Sequence, residues 1–273
     1  MRTAVTARSW LFTPGDRERL FDKASASNAD AVVLDLEDAV APHAKATARA
    51  DVCDWLRVGG RAWVRINAAD TTWFDEDLIA LTDAPGLAGV MLAKAEDPDA
   101  VHEITRQIRR DVDVVALVET ARGVRRAEEL AAVQSTTRLA FGALDLAADL
   151  GVDPDEDDAL LLARSTLVLA SRVAGLPAPV DGVTRATTDA AAIVRDARRS
   201  RSLGFGAKLC IHPAQVDLVN AGFAPTEAEV EWAREVLETA GAGGVGTDAR
   251  GQMIDKPVVD RARGIVQAAG EDR

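Results

Sequence analysis

A chain of 273 residues with 48% hydrophobic side chains and a net charge of −12 is long enough for one α/β barrel or two smaller domains. The charge argues against broad nucleic-acid or membrane-surface binding, while leaving room for an anionic small molecule on a local basic cluster. No apolar run approaches the roughly 20 residues that cross a bilayer, the N-terminus lacks a secretory pattern, and two cysteines with three histidines argue against a disulfide framework or a zinc site.

The expectation is therefore a soluble, cytoplasmic protein, in which any metal would be hard and oxygen-ligated. In chain order, short apolar runs occur at WLF (10–12), AVVLDL (31–36), WVRI (63–66), GVML (89–92), VVALV (114–118), RLAF (138–141), APV (178–180) and AKLCI (207–211). Amphipathic stretches rich in Ala, Arg, Glu and Leu separate them, such as EDPDAVHEITRQIRR and DALLLARSTLVLASRVAG. Strand followed by helix, about eight times over, predicts a parallel sheet closed as a (β/α)₈ TIM barrel. An open doubly wound sheet is the rival, weakened because no G-x-G-x-x-G follows the first run. Beyond the eighth unit, PTEAEVEWAREVLETA (225–240) predicts a helix with Thr226 at its N-cap. A Gly-rich segment, AGAGGVGTDARGQ, and a final helix in MIDKPVVDRARGIVQAAG follow. This gives a barrel over 1–222 and a C-terminal helical extension over 223–273, which a lid, an oligomer arm or a packing extension would each explain.

A barrel of this kind carries its active site at the carboxyl ends of its strands. Glu37 and Asp38 end the second strand, Arg65 and Asn67 the third, Lys94 and Glu96 the fourth, Glu119 and Thr120 the fifth. Asp145 follows the sixth and His212 the eighth. Loops are polar in any protein, yet six strands ending in ionisable groups at one face point to a site. Within VVLDLEDAV (32–40), Asp35, Glu37 and Asp38 crowd together, so a cation or hydrogen bonds must compensate them. After the first strand, TPGDRERLFDKA (13–24) predicts a turn opening a helix, with Arg17 and Lys23 on one side and suited to phosphate; an ordinary charged first turn is the plainer reading. His212 is expected to order the loop after strand eight, and Trp73 and Phe74 either pack or edge the pocket.

The motifs RSWLFTPGDRERLFDKA, AVVLDLEDAV, WVRIN, ALVETARG, FGALDLAADLG, KLCIHPAQV and GQMIDKPVVDRAR occur in this order. From about residue 8 to residue 268 the chain resembles the citrate lyase beta-subunit-like proteins of the HpcH/HpaI aldolase/citrate lyase superfamily. The resemblance implies a (β/α)₈ barrel with a C-terminal extension, assembled as homotrimers. It implies a Mg²⁺-dependent acyl-CoA lyase that cleaves or forms a carbon–carbon bond in a short carboxylated 3-hydroxyacyl-CoA. Citramalyl-, malyl- or hydroxymethylglutaryl-CoA would give acetyl-CoA and a keto acid. Carried onto this sequence, it places Mg²⁺ on Glu119 and Asp145, with waters completing the shell. Arg65 would hold the substrate carboxylate, and Glu37 and Asp38 would contact the metal's water shell. Phe12, Arg17 and Lys23 would hold the coenzyme A nucleotide. Asp255 would be an acid/base residue delivered by the tail, in several relatives onto a neighbouring subunit. Hydrated magnesium is thus the expected cation opposite Glu37 and Asp38. Three departures stand out: Leu144 where relatives often carry an acid, Ala93 for a proline, and Ala207 for a glycine. A citrate lyase complex subunit acting on a carrier-bound citryl thioester, an aldolase on free hydroxy-keto acids and a non-catalytic CoA-metabolite binder are the rival readings.

Overall fold

The computed structural model describes residues 3–108, 111–241, 246–247 and 253–270. All eight apolar runs contribute to strands: β1 Ser9–Pro14, β2 Ala31–Asp35, β3 Ala62–Ile66, β4 Leu87–Leu92, β5 Val114–Val118, β6 Thr136–Phe141, β7 Val180–Asp181 and β8 Ala207–Cys210. They pair in parallel in sequence order, and β8 closes on β1 through Ser9 opposite Lys208. The closed barrel excludes the open doubly wound alternative. The strands read as near-continuous apolar runs because both faces are covered, by the barrel interior and by the outer helices. The shortest, β7, follows Pro177 and Pro179, which cannot donate to a ladder.

The helices follow the predicted alternation, with Lys45–Arg57 after β2, Trp73–Leu81 after β3 and Pro98–Ile108 after β4. Two short helices follow β5, Ala143–Leu150 and Leu161–Val173 follow β6, Ala190–Ser202 follows β7, and Val216–Phe223 follows β8. The first connection departs from expectation. Glu18–Leu20 is a 3₁₀ turn and only Phe21–Ser25 is α-helical, so Arg17 precedes the helix that carries Lys23. Phe21 and Ala24 are the only buried residues of that helix, too short an apolar stripe to anchor a longer one.

Inside the barrel, Trp10, Val33, Trp63, Met91, Val115, Leu117 and Leu209 share one apolar cluster with Ala4 and Ala7. The Trp10 and Trp63 rings lie 5.0 Å apart, and Gly89 is required because a β-carbon there would run into the Trp63 ring. At the amino-terminal end of the strands Arg138 is buried and donates to the carbonyls of Ala178 (2.7 Å), Ala4 (2.9 Å) and Ala7 (2.8 Å). Burial pulls its pKa down to about 9. Arg138 thus ties the segment before β1 across the amino-terminal end of the barrel.

The chain forms two compact units, Met1–Gly222 and Phe223–Arg273. In the second, helices Glu227–Gly241 and Lys256–Ala268 pack through Val230, Ala233, Val236, Ala262 and Ile265, with Ile254 alongside. Thr226 caps the first of these as expected, accepting from the Glu229 N–H (3.2 Å) while the Glu229 carboxylate accepts from the Thr226 N–H (2.8 Å). Residues 246–247 and Met253–Ile254 form a two-stranded antiparallel ladder.

Candidate active site

Asp35, the last residue of β2, organises the site. It is 1% exposed and accepts from the backbone N–H groups of Glu37 (2.9 Å) and Ala39 (3.2 Å), which bends the following loop into a tight turn. The same carboxylate accepts from Nε (2.7 Å) and Nη2 (2.5 Å) of Arg65 on β3, a bidentate pair that fixes the guanidinium plane. One face of that guanidinium lies 4.6 Å from the Phe12 ring centroid. Beneath the turn, the buried Lys45 donates to the carbonyls of Leu36 (2.8 Å) and Glu37 (3.0 Å) and to Oδ1 of Asn67 (2.7 Å). Asn67 is held in turn by Asp77 (2.7 Å).

Glu37 is buried by this turn. Its Oε1 accepts from Nζ of Lys94, while Oε2 accepts from the Asp38 N–H (2.8 Å) and lies 3.3 Å from Nη1 of Arg65. Burial raises its pKa although Arg65 and Lys94 oppose the shift. Asp38 is more exposed, with Oδ2 3.5 Å from the Lys94 ammonium. The compensation that these crowded carboxylates require thus comes from two protein cations, Arg65 and Lys94. These two protein cations stand beside the acids in addition to any metal ion the site would hold.

Glu119 follows β5 and is 2% exposed. Among the described residues it accepts one hydrogen bond, from the Lys94 backbone N–H (2.8 Å). Gly142 makes room for it, since a β-carbon there would collide with the carboxylate. Burial pushes the Glu119 pKa up to about 8, with Arg65 opposing and the charges of Asp145 and Glu37 adding to the rise. Asp145, in the first turn of helix Ala143–Leu150, is half-buried and makes no hydrogen bond or ion pair among the described residues. Asp145 and Glu119 line one cavity of about 370 Å³ with Arg65, Asp38, Phe12 and Leu144.

Two under-satisfied carboxylates facing one cavity suit a hard divalent cation that keeps several non-protein ligands. Among the described residues no group of three or more His, Cys, Asp or Glu side chains is arranged to hold a metal. A cation at Glu119 and Asp145 would therefore complete its shell from water and substrate, as Mg²⁺ does readily and a structural zinc ion does not.

Other sequence candidates have these surroundings. Arg17 and Lys23 are exposed and make no ion pair among the described residues. His212 caps the 3₁₀ turn Pro213–Gln215, its Nδ1 accepting from the Ala214 N–H (3.1 Å), so it orders the loop after β8. Trp73 lies over the Lys45 ammonium (4.8 Å to the ring centroid) and Phe74 is buried, which makes both packing residues. Asp255 belongs to the second unit, where it is the N-cap of helix Lys256–Ala268 and accepts from the Val258 N–H (3.2 Å).

Sequence reasoning missed the structural part of Lys45 and the double contact of Lys94. Lys45 was detectable, because it shares the buried stripe of its helix with Ala48, Val52 and Leu56, an expensive place for an unpaired ammonium.

Comparison with known proteins agrees with this fold. The HpcH/HpaI aldolase/citrate lyase family profile matches residues 8–213. A citrate lyase subunit beta-like protein of Mycobacterium tuberculosis is 38% identical over 277 residues, covering 99% of this chain and 98% of that protein. An L-malyl-CoA/beta-methylmalyl-CoA lyase of Cereibacter sphaeroides is 35% identical over 302 residues, covering 96% of this chain and 94% of its own. The crystal structure of CitE from M. tuberculosis with magnesium, acetoacetate and coenzyme A superposes with a TM-score of 0.88 at 37% identity, covering 97% of this chain and 99% of that one. With profile, full-length identity and barrel in agreement, the chain belongs to the HpcH/HpaI aldolase/citrate lyase family.

Proposed function

We propose that this protein is a Mg²⁺-dependent carbon–carbon lyase acting on a short carboxylated 3-hydroxyacyl-CoA of the citramalyl, malyl or hydroxymethylglutaryl type. The products would be acetyl-CoA and a keto acid, and the reaction can run either way. The observation that carries this reading is the pairing of Glu119 with Asp145 across a cavity that Arg65 also enters. Relatives support it, since one is a malyl-CoA lyase and another was crystallised with magnesium, acetoacetate and coenzyme A.

Glu119 and Asp145 would hold the metal, which when bound would acidify the substrate hydroxyl and neutralise developing charge. Arg65 orients the keto-acid half. Asp35 occupies its Nε and Nη2 side, so the substrate carboxylate meets the outer edge of a guanidinium whose plane is already fixed. Glu37 and Asp38 would accept from the metal's water shell. Asp255 would exchange a proton with the methyl carbon of the acetyl thioester. Arg17 and Lys23, exposed and without ion pairs, suit the coenzyme's phosphates, and Phe12 would border that path. Homo-oligomers, trimeric by family expectation, and a cytoplasmic location complete the reading. Among the described residues no helix is long and apolar enough to cross a membrane.

The test is a panel of citramalyl-, malyl- and hydroxymethylglutaryl-CoA incubated with the purified chain, with acetyl-CoA release measured with Mg²⁺ and with chelator. Mg²⁺-dependent release from at least one thioester is expected. Binding without release would favour a CoA-metabolite binder, and release only with companion subunits would favour a citrate lyase complex.

A further inference from the structure

Lys94 is the only non-glycine residue with positive φ among the described residues, at 47°. A lysine gains nothing intrinsic from the left-handed region, so the surrounding structure must hold it there. Both neighbours are tied to adjacent strands. The Ala93 N–H reaches the Ile66 carbonyl at 3.4 Å, and the Ala95 N–H reaches the Leu117 carbonyl at 2.9 Å. Between these two ties the chain turns the Lys94 N–H outward onto Oε1 of Glu119 (2.8 Å). The side chain runs the opposite way round the barrel, past β3, to Glu37 and Asp38 behind β2. One residue of β4's end therefore touches the acids of both β2 and β5.

Arg65 explains why this matters. Its fork is contested by two buried carboxylates. Asp35 takes Nε and Nη2, and Glu37 stands 3.3 Å from Nη1. If Glu37 moved onto the Nη1–Nη2 edge, the guanidinium would have no bidentate edge left for a third carboxylate. Lys94 supplies the competing attraction, since its ammonium bonds Oε1 of Glu37 while Nη1 of Arg65 stands nearest Oε2. We propose that Lys94 is a positioning residue, whose ammonium holds Glu37 back from Arg65 and so keeps the outer guanidinium edge for the keto-acid carboxylate of the substrate. Its backbone meanwhile aims Glu119. This rests on the lyase reading and adds to it a residue that decides whether the arginine is available.

Side chain and backbone can be separated experimentally. Lys94→Met removes the ammonium and keeps most of the length. Lys94→Gly also removes it, while glycine accepts φ near 47° without strain and retains the N–H on Glu119. Calorimetric titrations of Mg²⁺, of acetyl-CoA, and of pyruvate in saturating Mg²⁺ are compared with Tm for wild type, both variants and Lys94→Arg. Pyruvate should bind about tenfold more weakly or worse in the Met and Gly variants, by the scale of a charged hydrogen bond. Mg²⁺ and acetyl-CoA affinities should stay within about threefold, Lys94→Gly should melt no lower than Lys94→Met, and Lys94→Arg should recover much of the pyruvate affinity. Unchanged pyruvate binding in both variants would overturn the proposal, as would parallel losses for all three ligands. A wild-type chain that bound neither acetyl-CoA nor pyruvate would overturn the lyase reading and this proposal together. Wild-type binding of both with unaltered variants would overturn this proposal alone.

Discussion

Two buried carboxylates of the barrel, Asp181 and Glu119, are equally hidden, at 1% and 2% exposure, and their surroundings treat them in opposite ways. Asp181, at the end of β7, accepts from Nε of Arg164 (3.1 Å), from the Ser200 hydroxyl and from the Gly182 N–H (2.9 Å), with Nζ of Lys208 at 3.8 Å. Burial alone would raise its pKa, but Lys208 and Arg164 outweigh burial and hold it below the ordinary carboxylate range. Glu119 has one backbone donor, and its pKa goes up to about 8. A closed ionic cluster surrounds its acid with donors and is structural. An open one leaves an acid short of partners and keeps capacity for a ligand.

The largest effect should come from breaking the closed cluster. Asp181→Asn keeps the volume but leaves Arg164 buried without its acid and Lys208 with Asp196 alone (3.2 Å). Removing one partner of a buried network costs about 3–5 kcal/mol. Urea unfolding should show this loss in the midpoint. A variant within about 0.5 kcal/mol of wild type, the level of an ordinary surface substitution, would make the cluster dispensable and the contrast void.

Asp255 offers a sharper cut, because asparagine is as good an N-cap as aspartate. Asp255→Asn should therefore leave helix Lys256–Ala268 and the melting temperature intact. If the carboxylate transfers the proton, kcat should fall about 100-fold or more with thioester affinity unchanged. A full kcat would limit Asp255 to its cap.

Opening the other side of the comparison, Glu119→Gln should cost turnover and Mg²⁺ affinity, about 100-fold in kcat/KM, with no loss of stability. The sign of the pH dependence follows from the raised pKa. Protonated Glu119 favours the folded state fully below the unfolded value near 4.5, and this advantage is lost progressively as pH rises towards about 8. Metal-free wild type should therefore lose stability from pH 5 to pH 8 more steeply than Glu119→Gln, and Mg²⁺ should flatten the difference. Asp181 has the opposite sign, its contribution being present above the unfolded carboxylate pKa and lost as pH falls through its depressed folded value. Denaturant titrations at several pH values, with and without Mg²⁺, separate the two.

The barrel was legible because parallel strands covered on both faces need continuous apolar runs, and the runs at 31–36, 63–66 and 114–118 supply them. Glu119 and Asp145 were legible as acids just past such runs, where chemistry rather than packing explains a charge. Lys94 was visible as a strand-end cation, but nothing in LAKAE announces a positive φ. That conformation comes from hydrogen bonds to Ile66 and Leu117, residues far off in sequence. Asp35 likewise read as one more crowded acid until β3 brought Arg65 beside it. In DKPV the capping pattern of Asp255 was present, with proline in the first helical turn, but an acid in a family motif drew attention to proton transfer first.

The smallest expected effect lies outside both clusters. Arg17 and Lys23 are exposed, so their charges are screened by salt and contribute little to folding. Arg17→Ala and Lys23→Ala should leave the melting temperature unchanged. If they meet the coenzyme's phosphates, each should raise KM for a CoA thioester by about threefold to fivefold at low ionic strength, less at high salt. A pantetheine thioester without the nucleotide removes the partner and keeps the reacting end. On that substrate both variants should match wild type, because the charge acts only on groups no longer present. Equal losses on the two substrates would mean that the region supports the loop after β1, and that the anionic end of the coenzyme is held elsewhere.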